Sequence, residues 1–133
     1  MAKPVPVPDE TTAFYWQAAQ EGRLEVQRCP RCGSWWFPPV IACAACQSEQ
    51  LVATAVTGRG RVYSFTVVRQ AFDRAFTGDL PYVVALVELE EDPSVRILSN
   101  IVNTSPDVIT VGMPVEVAFE DRDGFALPVF QPC

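Results

Sequence analysis

Through the second half of the chain, apolar and polar residues alternate at the period of two that sends successive side chains to opposite faces of a strand. The runs Val62 to Val68, Tyr82 to Leu89, Val95 to Val102, Val115 to Glu120 and Ala126 to Phe130 are rich in β-branched and aromatic residues, so five strands are predicted. Gly58, Gly60, Glu91-Asp92-Pro93, Gly112-Met113-Pro114 and Asp123-Gly124 punctuate them as turns, and Pro106 to Val111 has room for one helical turn. Five short strands interrupted after the third predict an OB-like barrel. The connection from Arg69 to Leu80 is long for a hairpin and carries Phe72 and Phe76, which makes it a candidate functional loop as well as a candidate cap for the barrel end.

The N-terminal third follows another pattern. Pro4, Pro6 and Pro8 remove backbone donors at alternate positions, so an extended arm lying on another surface is predicted. From Asp9 to Glu21 the period becomes helical: Phe14, Tyr15, Ala18 and Ala19 share one side, Asp9 is placed to cap, and Gly22 suits the stop. Leu24 to Gln27 reads as a short strand entering the first of two cysteine pairs, and Trp35, Trp36, Phe37, Pro38 and Pro39 fill the segment before the second. The expected organisation is an arm and helix over 1–23, a cysteine module over 24–48, and a β domain over 49–133 that begins with a link over 49–59.

At 133 residues the sequence has the size of one domain able to bury its own core. No apolar run approaches the ~20 residues that span a bilayer, and no basic segment followed by an apolar stretch opens the chain. A soluble, cytoplasmic protein with no membrane partner is expected. A net charge of -6 and a pI near 4.5 argue against nucleic acid, whose affinity comes largely from counterions released by clustered Lys and Arg. The chain contains no histidine. That removes the usual general base near neutral pH and every Ser-His or Cys-His nucleophile.

Cys29-Pro30-Arg31-Cys32-Gly33 and Cys43-Ala44-Ala45-Cys46 each place two sulfurs across a tight turn, and ten residues separate the pairs, which is zinc-site spacing. Four thiolates saturate a tetrahedral Zn²⁺ and leave no position for water, so one structural ion per chain is expected rather than a catalytic one. Two disulfides are the alternative that a reducing compartment disfavours, and an iron site would use the same ligands. Cys133, with no histidine to generate its thiolate, reads as a bystander. Gly58-Arg59-Gly60 lacks the third glycine of a dinucleotide site and fits a turn, while Glu88, Glu90, Glu91 and Asp92 fit a solvated turn better than an acid-base pair.

A series of ordered motifs resembles the DUF35 family, OB-fold proteins with an N-terminal rubredoxin-like zinc ribbon that associate with acyl-CoA-processing enzymes. The motifs are Phe14-Tyr15-Trp16 ahead of Glu21-Gly22-Arg23-Leu24, Gln27-Arg28-Cys29-Pro30-Arg31-Cys32-Gly33, and Phe37-Pro38-Pro39 before Cys43 to Cys46. They continue with Gly58 to Val67, Pro81 to Ala85, Ile109 to Val115, and Leu127 to Phe130, so the likeness covers almost the whole chain. It implies a mainly β protein in which a helix and zinc ribbon precede a five-stranded OB-fold barrel, with the family's zinc ligands on Cys29, Cys32, Cys43 and Cys46. It also implies a non-catalytic accessory subunit of lipid metabolism, a hetero-oligomer with a thiolase-like or retro-aldolase protein that acts on acyl-CoA thioesters. No fixed set of CoA-binding residues carries over.

Two features of the residues agree with that implication. The chain lacks the groups for self-sufficient acyl chemistry, and Phe14, Tyr15, Trp16, Trp35, Trp36 and Phe37 exceed what a small ribbon easily buries, which suits either a partner interface or a seam between helix, ribbon and barrel. In the long loop, Arg69 and Arg74 can meet the phosphates of coenzyme A while Phe72 and Phe76 cover an acyl chain or a partner. A free-standing nucleic-acid binder would need a basic groove, for which Arg59, Arg61, Arg69 and Arg74 are the only cluster. A thioesterase would need a carboxylate that activates water, and no pair of carboxylates has a spacing that argues for it.

Overall fold

Alternation becomes burial in the strand Tyr82–Leu89, where Val83, Ala85, Val87 and Leu89 are enclosed and the residues between them are half-exposed. The computed structural model describes residues 2–133; Met1, the first residue of the expected arm, lies outside them. In chain order the elements are α1 (Ala13–Gln20), β1 (Glu25–Arg28), β2 (Trp35–Trp36), β3 (Val52–Ala55), β4 (Arg59–Val68), β5 (Tyr82–Leu89), β6 (Arg96–Ile101), β7 (Pro114–Arg122) and β8 (Phe125–Pro132). Short 3-10 turns occupy Arg74–Asp79 and Pro106–Val108.

The last five strands close a barrel in the order β4-β5-β6-β8-β7, with β6 and β8 parallel through Ile101 and Phe130 and the remaining pairs antiparallel. This is the five-stranded OB-fold barrel expected from the sequence. Its interior is filled by Val62, Val87, Ile97, Val115 and Phe130, each at most 1% exposed. Burying side chains of this kind contributes about 1.5–3 kcal/mol each. β4 begins at Arg59, earlier than the expected Val62, because Arg59 and Gly60 already pair with β7. Gly60 is there for approach rather than for a turn, since a Cβ on it would collide with the Glu88 carbonyl of β5.

A second, three-stranded sheet has the order β2-β1-β3. β3 lies in the stretch expected to be a link, and it is held by pairing with β1 from Glu25–Ala55 to Arg28–Val52. Its side chains are mostly exposed, so it shows little of the half-buried alternation that betrays a strand. The helix is also shorter than its pattern. Asp9 accepts hydrogen bonds from the Thr11 and Thr12 amides, both at 2.9 Å, and thereby caps the turn that leads into α1 rather than α1 itself.

Side chains join the parts. Gln20 donates to the Gly124 carbonyl and accepts from the Ala126 amide, both at 3.0 Å, which ties α1 to the β7–β8 turn. Thr57 donates from its amide to Glu91 at 2.8 Å and from its hydroxyl to Glu90 at 2.7 Å, which ties the end of the ribbon to the β5–β6 turn. Two members of the acidic cluster therefore serve as structural acceptors. The arm lies on the barrel, where Lys3 pairs with Asp79 and Arg122 donates to the Pro4 carbonyl at 3.4 Å. Among the described residues no helix is long and apolar enough to cross a membrane.

Candidate functional site

Each cysteine pair sits on a knuckle closed by its own backbone. The Cys29 amide donates to the Ser34 carbonyl at 2.8 Å and the Gly33 amide to the Cys29 carbonyl at 2.7 Å; Cys43, Ser48 and Gln47 repeat both bonds at the same lengths. The two knuckles face one another, so that Cys29 Sγ lies 3.5 Å from Cys46 Sγ and Cys32 Sγ lies 3.5 Å from Cys43 Sγ. All four sulfurs fall within 4.8 Å of one another. A disulfide needs sulfurs about 2.05 Å apart, so these are four free thiols. A tetrahedral ion with Zn–S bonds of about 2.3 Å separates its sulfurs by about 3.8 Å, and the arrangement fits one such ion.

The surroundings favour thiolates at Cys32 and Cys43, whereas at Cys46 the help of the Ser48 amide is outweighed by burial and by the other three sulfurs, which push that thiol up to about 11. The Ser34 hydroxyl, and then its amide, hydrogen-bond the Cys32 sulfur and bring that thiol down to about 6. Burial works against the Cys43 thiolate, but donors led by the amides of Cys46 and Ala45 outweigh it and lower the pKa. Trp36 Nε1 is buried beside this knuckle without a hydrogen-bond acceptor among the described residues. Amide donors around sulfur are what a four-thiolate metal centre requires to spread its negative charge.

The second region is the mouth of the barrel, where the expected loop residues separate. Phe72 is 92% exposed at the tip of the β4–β5 loop, with Arg69 and Arg74 also exposed beside it. Phe76 turns the other way and is half-buried, its ring centroid 6.0 Å from that of Tyr82. Lys3 Nζ and Arg122 Cζ each lie 5.8 Å from the Phe76 centroid. Together with Asn100 and Asn103 these residues line a cavity of about 270 Å³. The Nε of Arg122 is buried there without a hydrogen-bond acceptor, while its Nη2 pairs with Glu120 at 3.0 Å.

The structure places the six aromatics of the N-terminal half largely in the seam. Tyr15 is buried and packs against Trp16 at 4.8 Å and Phe37 at 5.4 Å, and Trp16 meets Phe125 of the barrel at 5.3 Å. Burial pushes the Tyr15 phenol up, so it stays protonated. Phe14, Trp16, Trp35 and Phe37 are half-buried against the same core, and Trp36 is half-buried beside the cysteines, so all five offer only partial faces to a partner. Arg59 and Arg61 stand at the start of the ten-residue strand β4, while Arg69 and Arg74 lie in the loop past its other end, so the four do not form one basic groove.

Sequence reasoning missed Gln27, Lys3, Tyr82 and Arg122. Lys3 and Arg122 meet only because the arm returns across β7, and no local pattern signals that. Gln27 gave no sign either, because alternation from Leu24 and Val26 puts it with Glu25 on the polar side of β1, and only the structure shows it buried.

Comparison with known proteins follows the same division. The family model described as "ChsH2, rubredoxin-like zinc ribbon domain" matches residues 16–52, and that described as "ChsH2, C-terminal OB-fold domain" matches residues 53–120. A probable enoyl-CoA hydratase alpha subunit of Thermomonospora curvata is 39% identical over 131 residues; the match takes in 98% of this chain, which spans 40% of the length of that relative. A DUF35 domain-containing scaffold protein of Methanothermobacter thermautotrophicus is 37% identical over 121 residues, which are 86% of this chain and 89% of that protein. Among solved structures, a chain of the "Ltp2-ChsH2(DUF35) aldolase" superposes with a TM-score of 0.87 and 39% identity, covering 96% of this chain and 98% of that one.

Proposed function

The chain belongs to the DUF35 family, and we propose that it is a non-catalytic subunit of an acyl-CoA-processing assembly, seated on a thiolase-like or retro-aldolase protein that performs the chemistry. The observation that carries this reading is Phe72, 92% exposed between two exposed arginines. Covering such a ring yields about 1.5–3 kcal/mol that the isolated chain leaves unused. Its basic flanks suit the phosphates of coenzyme A or an acidic rim on the partner. The relatives whose names speak of a hydratase alpha subunit, a scaffold and an aldolase support a partnered role.

Within this reading the tasks divide. Arg69 and Arg74 take the phosphate end of the thioester and Phe72 takes the partner or acyl surface. The cavity beside Phe76 is too small for a whole CoA ester and accepts at most its pantetheine arm or a short acyl group. Catalysis falls to the partner, because this chain has no histidine and four of its five cysteines form the metal centre. A structural Zn²⁺ on Cys29, Cys32, Cys43 and Cys46 holds the ribbon, and the thiols it needs are maintained in a reducing cytoplasm.

The test is purification of the tagged protein from its native host under reducing conditions, with mass spectrometry of what remains bound. A thiolase-fold protein in near-stoichiometric amount is expected. Bound nucleic acid, or no protein at all, overturns the proposal.

A further inference from the structure

We infer that Gln27 is the positioning residue of the metal centre, setting the second cysteine knuckle against the first by gripping the backbone of Val40. The connection between the knuckles first runs as β2, where Trp36 pairs with Gln27 and Trp35 with Arg28. It then passes through Pro38 and Pro39, which have no N–H to offer a sheet. Val40 is the first residue beyond them that can donate, and it lies three positions before Cys43.

The Gln27 amide takes both ends of that residue. Val40 N–H donates to Gln27 Oε1 at 2.7 Å, and Gln27 Nε2 donates to the Val40 carbonyl at 3.0 Å. Two bonds from one planar group fix direction as well as distance. Gln27 is the one polar side chain among the buried described residues, at 9% exposure, and an amide so placed is tolerated only when its bonds are made. Its own backbone is pinned on both sides, to Trp36 of β2 and Ala53 of β3. The clamp therefore runs from the rigid centre of the ribbon sheet to the segment that delivers Cys43 and Cys46, whose sulfurs must meet those of Cys32 and Cys29. A knuckle held in place returns its thiolates to the ion after each transient detachment; a free one lets the ion go.

Gln27→Met keeps the length of the side chain and removes both bonds, which separates the clamp from simple packing. On full-length, zinc-loaded protein, the rate of zinc transfer to the chelating dye 4-(2-pyridylazo)resorcinol is expected to rise by about tenfold or more, the usual effect of losing a contact that orients metal ligands. The cobalt-substituted variant is expected to show altered d–d absorption, while the thermal unfolding of the barrel stays as in the parent. Release at the parental rate with an unchanged cobalt spectrum overturns the inference, and so does equal loosening of barrel and metal centre. If Gln27→Met does not fold, hydrogen exchange at the Val40 amide of the zinc-loaded parent decides: protection upholds the clamp, and exchange at the rate of an open loop overturns it.

Discussion

Gly33 and Gln47 hold the same place in the two knuckles: each amide donates at 2.7 Å to the carbonyl of the cysteine four residues earlier, and each residue has a left-handed φ, 80° and 65° respectively. Glycine adopts this conformation freely, whereas a side chain there costs about 1–2 kcal/mol. Gln47 recovers part of that cost by donating from Nε2 to the Ala44 carbonyl at 3.1 Å. Gly33→Ala should therefore destabilise the zinc-loaded ribbon by about 1–2 kcal/mol, and Gln47→Ala by a few tenths. Equilibrium unfolding followed by tryptophan fluorescence measures both, and equal losses would show that the two positions are not under the same backbone demand.

Two other glycines differ in kind. Gly60 pairs with Leu89 on β5 and Val115 on β7, and a Cβ there meets main chain rather than a movable side chain. Gly112 has a φ of 90° but open space around it. Gly60→Ala should lower barrel stability by about 2–3 kcal/mol through overpacking, and Gly112→Ala by only about 1 kcal/mol through its backbone term. Thermal melts recorded by circular dichroism should rank them in that order.

How legible these features were depends on whether a residue's role is local. β5 could be read to its ends because one face is buried along its whole length. The cysteine centre was legible because spacing alone puts two sulfurs across each turn. β3 was not, since its existence depends on β1 rather than on its own pattern. Phe72 and Phe76 look alike in sequence, yet Asp73 accepts a hydrogen bond from the Ala75 amide at 2.9 Å and starts the 3-10 turn that swings Phe76 toward Tyr82, leaving Phe72 outside. Gly60 reads as a turn residue because a glycine needed for close approach and one needed for a bend are identical on paper.

The entrance to α1 should respond to acid. The Thr12 amide, opposed by desolvation but helped by the Thr12 hydroxyl and the Thr11 amide, holds the Asp9 carboxyl below its ordinary 3.8. A carboxyl depressed in the folded state contributes its full stabilisation above the unfolded value and loses it as the pH falls through the folded one. A carbon-detected NMR titration should place the Asp9 midpoint below 3.8. A midpoint at or above that value contradicts the cap.

Phe72→Ala should separate stability from assembly. With the ring 92% exposed, the isolated protein should unfold within about 0.5 kcal/mol of the parent. Affinity for the co-purified partner should fall about tenfold, the loss of about 1.4 kcal/mol of covered surface. By contrast, Phe130→Ala should cost about 3–5 kcal/mol in the isolated barrel. A large stability loss from Phe72→Ala, with unchanged affinity, would make the loop a structural cap.

Steady-state turnover of an acyl-CoA thioester, measured on this chain alone, on its purified partner alone and on the two reconstituted, tests the accessory role most directly. No turnover by this chain and full turnover only by the reconstituted pair is the predicted result. Turnover by this chain alone that survives rigorous purification and disappears when a single carboxylate is replaced would contradict it.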